Sequence, residues 1–230
     1  TWPQLTSFIL DKVPKLSGTL PSRLGCLTLL DTIKIIDVPR FTGSIPAALC
    51  SASATKQLVL QQLSKIDGTL PQTLGSISSH CTALTLINLP SVTGTFPRSL
   101  GKLTKLQQLL VHNMPGLTDM LPSTFFENLT NLVQLELTDV PGLRGPLPTS
   151  LQNLHSLAQL TLSSNGLSGT FPTELMQGDG DLFASNMQTI DVSGNALTGT
   201  IHVPCIGETV QFAVQKFDVS GNSLDGINLD

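Results

Sequence analysis

Apolar residues return along this chain in a fixed rhythm. Leu106, Leu109, Val111 and Met114 form one set, Leu132, Leu135, Leu137 and Val140 the next, and Leu157, Leu160, Leu162 and Asn165 a third. The separation of two at the centre of each set turns alternate side chains to one face, which predicts a short strand buried on that face. A second phrase follows the strand. It reads Ser17-Gly18-Thr19-Leu20-Pro21, Thr42-Gly43-Ser44-Ile45-Pro46, Asp67-Gly68-Thr69-Leu70-Pro71 and Thr93-Gly94-Thr95-Phe96-Pro97. Further on it becomes Thr118-Asp119-Met120-Leu121-Pro122, Arg144-Gly145-Pro146-Leu147-Pro148 and Ser168-Gly169-Thr170-Phe171-Pro172. Successive prolines lie 25, 25, 26, 25, 26 and 24 residues apart. Two degenerate copies, at Thr198-Gly199-Thr200-Ile201 and Asp225-Gly226-Ile227, bring the count to nine units.

Each unit therefore predicts a strand, a turn at the glycine phrase, and a return segment anchored by the third residue after proline: Leu24, Leu49, Leu74, Leu100, Leu151 or Leu175. The glycine permits a backbone turn that a side chain would obstruct, and the proline stops ladder pairing. Asp119 stands where that glycine belongs, so a turn tolerated at a cost is expected there. One such unit cannot bury its own apolar residues, whereas a stack can. The expected fold is an α/β repeat: a right-handed solenoid with one parallel sheet and an irregular, 3-10 or short helical opposite side. It forms a single domain over residues 1–230, with units near 5–28, 29–53, 54–80, 81–105, 106–131, 132–156, 157–186, 187–213 and 214–230. Both ends read as uncapped, which suits a mature chain or an excerpt of a longer one.

These units resemble the plant-type leucine-rich repeat, whose phrase is LxxLxLxxNxLxGxIP. Leu157 to Pro172 and Met187 to Ile201 match it best, the latter through Asp191-Val192-Ser193-Gly194-Asn195-Ala196-Leu197-Thr198-Gly199. Earlier units carry Val13, Val38, Leu63, Leu89, Met114 and Val140 at the asparagine position, usually followed by proline. That variant is similar to early repeats of polygalacturonase-inhibiting proteins, and the whole pattern is similar to receptor-like kinase ectodomains. The resemblance implies that the strands line a concave recognition face. It also implies that the asparagine ladder, which satisfies buried backbone groups, is lost over the early units, so their turn hydrogen bonds come from elsewhere.

Outward strand positions form two columns. The central one reads Ile9, Lys34, Val59, Thr85, Leu110, Glu136, Thr161, Asp191 and Asp218, and the next reads Asp11, Ile36, Gln61, Ile87, His112, Thr138, Ser163, Ser193 and Ser220. They are apolar over the first five units and polar to acidic over the last four. An apolar patch rimmed by polar groups is a candidate contact site, and Ile9, Lys34, Ile36, Val59, Gln61, Thr85, Ile87, Leu110, His112, Glu136 and Thr138 are its residues. The competing account is that β-branched and aliphatic side chains merely suit strand surfaces.

Composition narrows the function. The 230 residues are 40% hydrophobic and 12% charged, with 41 leucines, 12 Lys and Arg against 16 Asp and Glu, and a net charge of −4. Nucleic-acid binding, which needs clustered basic surplus, is excluded on that balance, and no apolar run reaches the roughly 18 residues of a membrane span. So little charge on a hydroxyl-rich chain reads as extracellular, secreted or cell-surface. Asn128-Leu129-Thr130 is an N-glycosylation sequon on an expected exposed return segment. Cys26, Cys50, Cys81 and Cys205 lack zinc spacing. Stacking would bring Cys26 and Cys50 within reach of a disulfide, and the alternative is four unpaired thiols. Gly178-Asp179-Gly180-Asp181 lacks the continuation of a calcium loop. The histidines at 80, 112, 155 and 202 have no nucleophile at matching spacing, and no phosphate loop or converging carboxylate pair is present. No enzyme and no cofactor is expected. The leading reading is a non-catalytic recognition module binding an extracellular protein or polysaccharide. A structural glycoprotein that self-associates through open solenoid ends is the second, and ice binding, suggested by 26 threonines and low charge, the third, set aside because the strand columns lack a regular threonine array.

Overall fold

The strand rhythm of the sequence is realised rung upon rung. In the computed structural model, which describes residues 2–172, 175, 186–203 and 214–229, nine parallel strands form one sheet in chain order. They are Ser7–Asp11, Thr32–Ile36, Gln57–Gln61, Ala83–Ile87, Gln108–His112, Gln134–Thr138, Gln159–Thr161, Thr189–Asp191 and Lys216–Asp218. Inward residues such as Leu109, Val111, Leu135, Leu137, Leu160 and Leu162 are fully buried, and the core runs as one column along the stack. After the repeat prolines from Pro21 to Pro148 the chain returns through a single short turn. Five 3-10 segments (Ser22–Cys26, Ala47–Ser51, Leu74–Ser76, Arg98–Lys102 and Thr149–Asn153) and the short α-helix Ser123–Phe126 occupy these returns. Leu24, Leu49, Leu74, Leu100 and Leu151 are buried and tether them to the core. The solenoid with one parallel concave sheet is the fold.

The glycine phrase departs from expectation. It is not a turn but a strand, pairing in parallel with its neighbours along the side of the stack. Ser17–Thr19, Arg40–Ser44, Ile66–Thr69 and Ser91–Thr93 form a four-stranded lateral sheet, and Thr118–Met120, Gly142–Gly145, Gly166–Thr170, Ala196–Val203 and Ser223–Leu229 a five-stranded one. Identical backbone on successive rungs lets N–H and C=O groups meet even where the local conformation is unusual. Gly94 shows why glycine is required: its φ is +93°, and an added Cβ would lie 3.1 Å from the Thr69 methyl of the preceding rung. Asp119 does not take the left-handed conformation. Pairing fails at that point, and a single bridge, Gly94 to Leu117, links the two lateral sheets. The Asp119 carboxylate instead accepts a hydrogen bond from the Met120 N–H at 2.8 Å. The cost of replacing glycine is thus a break in the sheet.

Cys26 and Cys50 do not form the disulfide that stacking suggested; both are thiols, as is Cys81. Leu24 and Leu49 hold equal places, so Cys50 aligns with Gly25 and Cys26 with Ser51. That one-residue offset buries Cys50 and exposes Cys26. Burial raises the Cys50 thiol, against a hydrogen bond from Thr73 that lowers it, and pushes Cys81 up to about 11. Cys205 and the run from Gly178 to Asp181 lie outside the described residues.

Candidate interaction face

The turn leaving each concave strand sets the direction of its last outward side chain. Lys12, Asp37, Gln62, Asn88, Asn113, Asp139 and Ser164 all adopt left-handed backbone, with φ between 50° and 56°. Such a conformation costs a non-glycine residue about 1 kcal/mol. Here it is offset by stacking, because each of these N–H groups reaches a carbonyl of the next rung: Lys12 to Ile36 at 3.0 Å, Gln62 to Ile87 at 2.9 Å, Asn113 to Thr138 at 3.0 Å.

Strand register places both sequence-derived columns as expected. Ile9, Lys34, Val59, Thr85, Leu110, Glu136, Thr161, Asp191 and Asp218 are consecutive backbone partners. Asp11, Ile36, Gln61, Ile87, His112 and Thr138 form a second row beside them. Ile9 is largely exposed, whereas Ile36, Val59, Ile87 and Leu110 are half-buried, alternating along their columns with Gln61 and Thr85. Ser163, Ser193 and Ser220 fall just past the strand ends.

A third outward column escaped the sequence reading. Ser7, Thr32, Gln57, Ala83, Gln108, Gln134, Gln159, Thr189 and Lys216 precede the central column by two residues and are likewise paired. Extending the alternation by one step towards the N-terminus would have found it. Its glutamines start a network at the middle of the sheet. The Gln108 amide donates to the Gln134 side-chain oxygen at 3.0 Å, and Gln134 donates to Glu136 at 2.6 Å. His112 Nε2 lies 3.0 Å from the other Glu136 oxygen. Because that nitrogen has no hydrogen bond of acceptable geometry, the approach is a charge contact when the ring is protonated rather than a directed bond.

A second network sits three rungs on. Lys216 Nζ donates to Asp191 at 2.6 Å and stands 3.8 Å from Asp218. Burial pushes the Asp191 carboxyl up, but bonds from Lys216 and from the Ser193 hydroxyl and N–H outweigh it and hold the group below the ordinary range. The Ser220 hydroxyl, at 2.7 Å, does the same for Asp218. Hydrogen bonding to Asp191 raises Lys216. No set of three or more potential metal ligands converges among the described residues.

No protein-family model matches the chain, and no curated protein matches it. Solved structures do. The ectodomain of the Arabidopsis thaliana receptor kinase GASSHO1/SCHENGEN3, in complex with CASPARIAN STRIP INTEGRITY FACTOR 2, superposes with a TM-score of 0.79 at 27% identity, over 95% of this chain and 24% of that one. The ectodomain of the Arabidopsis receptor kinase HAESA, with the peptide hormone IDA, gives 0.74 and 25%, over 90% of this chain and 32% of that one. The chain is a plant-type leucine-rich-repeat solenoid. It spans about a quarter to a third of these receptor ectodomains. A plant ice-binding protein at 21% identity, with a TM-score of 0.74 over 94% of this chain and 72% of its own, shares the fold.

Proposed function

We propose that this solenoid is a non-catalytic extracellular recognition module that binds a protein or peptide segment across its concave sheet. The observation carrying this reading is the band of Ile36, Val59, Ile87 and Leu110 beside the Gln108, Gln134, Glu136 and His112 network: apolar anchors next to fixed polar groups. Such anchors dominate affinity at interfaces while polar neighbours set orientation. Glu136 of this face is engaged with Gln134 and His112, and Asp191 and Asp218 with Lys216 and the neighbouring serines, which suits a static recognition surface better than proton transfer. The GASSHO1/SCHENGEN3 and HAESA ectodomains hold a protein factor and a peptide hormone. Low charge and the exposed sequon at Asn128 support the extracellular reading. Among the described residues no helix is long and apolar enough to cross a membrane.

Ice binding gains exposed threonines from the lateral strands, but Asp67, Met120, Arg144 and Pro146 interrupt their rows, so it is not preferred.

The test is a double substitution. Val59→Ser with Leu110→Ser should weaken a captured partner by about 2 kcal/mol, roughly thirtyfold in Kd, with the melting temperature kept. His155→Ala, away from this sheet, should leave binding unchanged. An affinity that ignores the double variant and responds to His155 would move recognition off the concave face.

A further inference from the structure

Three departures from the glycine phrase fall on adjacent rungs. Where flanking units read Thr93-Gly94-Thr95 and Ser168-Gly169-Thr170, the fifth reads Thr118-Asp119-Met120 and the sixth Arg144-Gly145-Pro146. Asp119 lacks the left-handed backbone of Gly94 and Gly145 on either side, and Pro146 has no N–H to offer a neighbouring rung. Here, where the two lateral sheets are joined by one bridge, the surface holds a groove of about 580 Å³ that runs from Arg98 across to Thr149. Its size falls within the range of small-molecule sites, roughly 300–1,000 Å³.

The groove is apolar where its neighbours carry hydroxyls. Met120 and Pro146 stand at the place of Thr95 and Thr170, and Pro122 and Pro148 line the groove beside them. Met120 is 59% exposed, yet it is braced across the next rung, since a Cβ on Gly145 would meet its Cγ and Sδ at 2.9 Å. A thioether among rigid rings suits a flat apolar group. Arg98 and Asp119 bring opposite charges to the same groove without meeting, for neither forms an ion pair among the described residues. Asp119 spends one oxygen on the Met120 N–H, and its other oxygen has no partner among the described residues. Separate charges of both signs above an apolar wall are complementary to a ligand that carries both signs and an apolar group.

We propose that this groove binds a free α-amino acid with a large apolar side chain, its carboxylate on Arg98, its ammonium on Asp119 and its side chain against Met120 and the prolines. The guanidinium can give a carboxylate two parallel hydrogen bonds, which fixes the ligand's orientation. The groove lies off the concave sheet, so Val59→Ser with Leu110→Ser should leave this binding intact.

Phenylalanine is the probe, titrated into the chain carrying carbon-13 at its methionine methyl groups and followed by NMR. The Met120 signal should shift saturably with a Kd on the order of 1 mM, the level a ligand of this size reaches per atom. The signals of the buried Met114 and Met187 should stay still. N-acetyl-phenylalanine, which lacks the ammonium, and phenethylamine, which lacks the carboxylate, should each bind about fivefold more weakly. Arg98→Gln should weaken phenylalanine about fivefold, and so should Asp119→Asn, which keeps an acceptor for the Met120 N–H, both with the melting temperature unchanged. Lys102→Gln removes a charge from the same return segment and should stay within twofold. A Met120 signal unmoved at ten times that concentration, or an affinity indifferent to Arg98→Gln and Asp119→Asn, would overturn the proposal. Equally tight binding of N-acetyl-phenylalanine amide would also overturn it, in favour of an apolar side chain of a peptide.

Discussion

Asp191 and Lys216 illustrate how one residue pair gives the solenoid a pH window. The Asp191 side chain is 12% exposed and pairs with Lys216 on the next rung. Its carboxyl is lowered in the folded chain, so the stability it contributes is complete above the ordinary carboxylate value near 3.9 and is lost as pH falls through the lowered one. Lys216 is raised, so its share is complete below about 10.4 and fades as pH climbs through the raised value. Asp191→Asn should therefore cost about 1 kcal/mol in urea unfolding at pH 7, the scale of one hydrogen bond to a charged group discounted for the exposed lysine. The difference from the parent chain should shrink as pH falls through the lowered Asp191 value. A difference that persisted unchanged in acid would place the loss in packing rather than charge.

At the scale of the element, the chain closes its concave turn in two ways. Asn165 donates to the Leu137 and Leu162 carbonyls at 2.8 and 2.9 Å and accepts from the Val140 N–H at 2.9 Å. Asn195 and Asn222 repeat the device. The earlier units spend one more residue between the turn position and the next buried apolar residue, as in Met114-Pro115-Gly116-Leu117. Their bond is backbone to backbone, Leu117 to Met114 at 3.1 Å. Proline at the second turn position presets the backbone for it. Asn165→Val should then destabilise by about 2–4 kcal/mol, since three buried backbone groups lose a partner, and inserting proline before Gly166 should recover part of that. Equal melting temperatures for the two variants would show that the extra residue does not matter. The repeat period and strand columns were legible because the burial of Leu109 and the outward direction of Leu110 follow from spacing alone. The source of the early turn bonds was not, since it lies in a backbone contact rather than a residue type. The lateral strands were hidden for a related reason: Ser-Gly-Thr looks locally like a turn, and only rung-to-rung pairing makes it a strand.

For the whole molecule, stacking assigns each residue of the repeat to one of three surfaces, and the surfaces can work independently because contacts run mainly between neighbouring rungs. Asn128 and Thr130 are exposed just past the Ser123–Phe126 helix, on the return side. Phe125 and Phe126 are buried beneath this segment and meet edge to face with centroids 4.8 Å apart, while Leu129 is fully buried and Asn131 donates to the Thr104 carbonyl at 2.8 Å. The segment is thus held firmly while its asparagine points to solvent, where a bulky glycan displaces nothing from the core. Expression in a secretory host should therefore give a glycan at Asn128, read by peptide mass spectrometry. Asn128→Gln should leave concave-face binding within twofold and the melting temperature within about 2 °C, because the sheet and the glycan lie on opposite sides of the core. An unmodified Asn128 after secretion would count against the extracellular reading, and loss of concave binding on removing the glycan would show that the return surface reaches the partner.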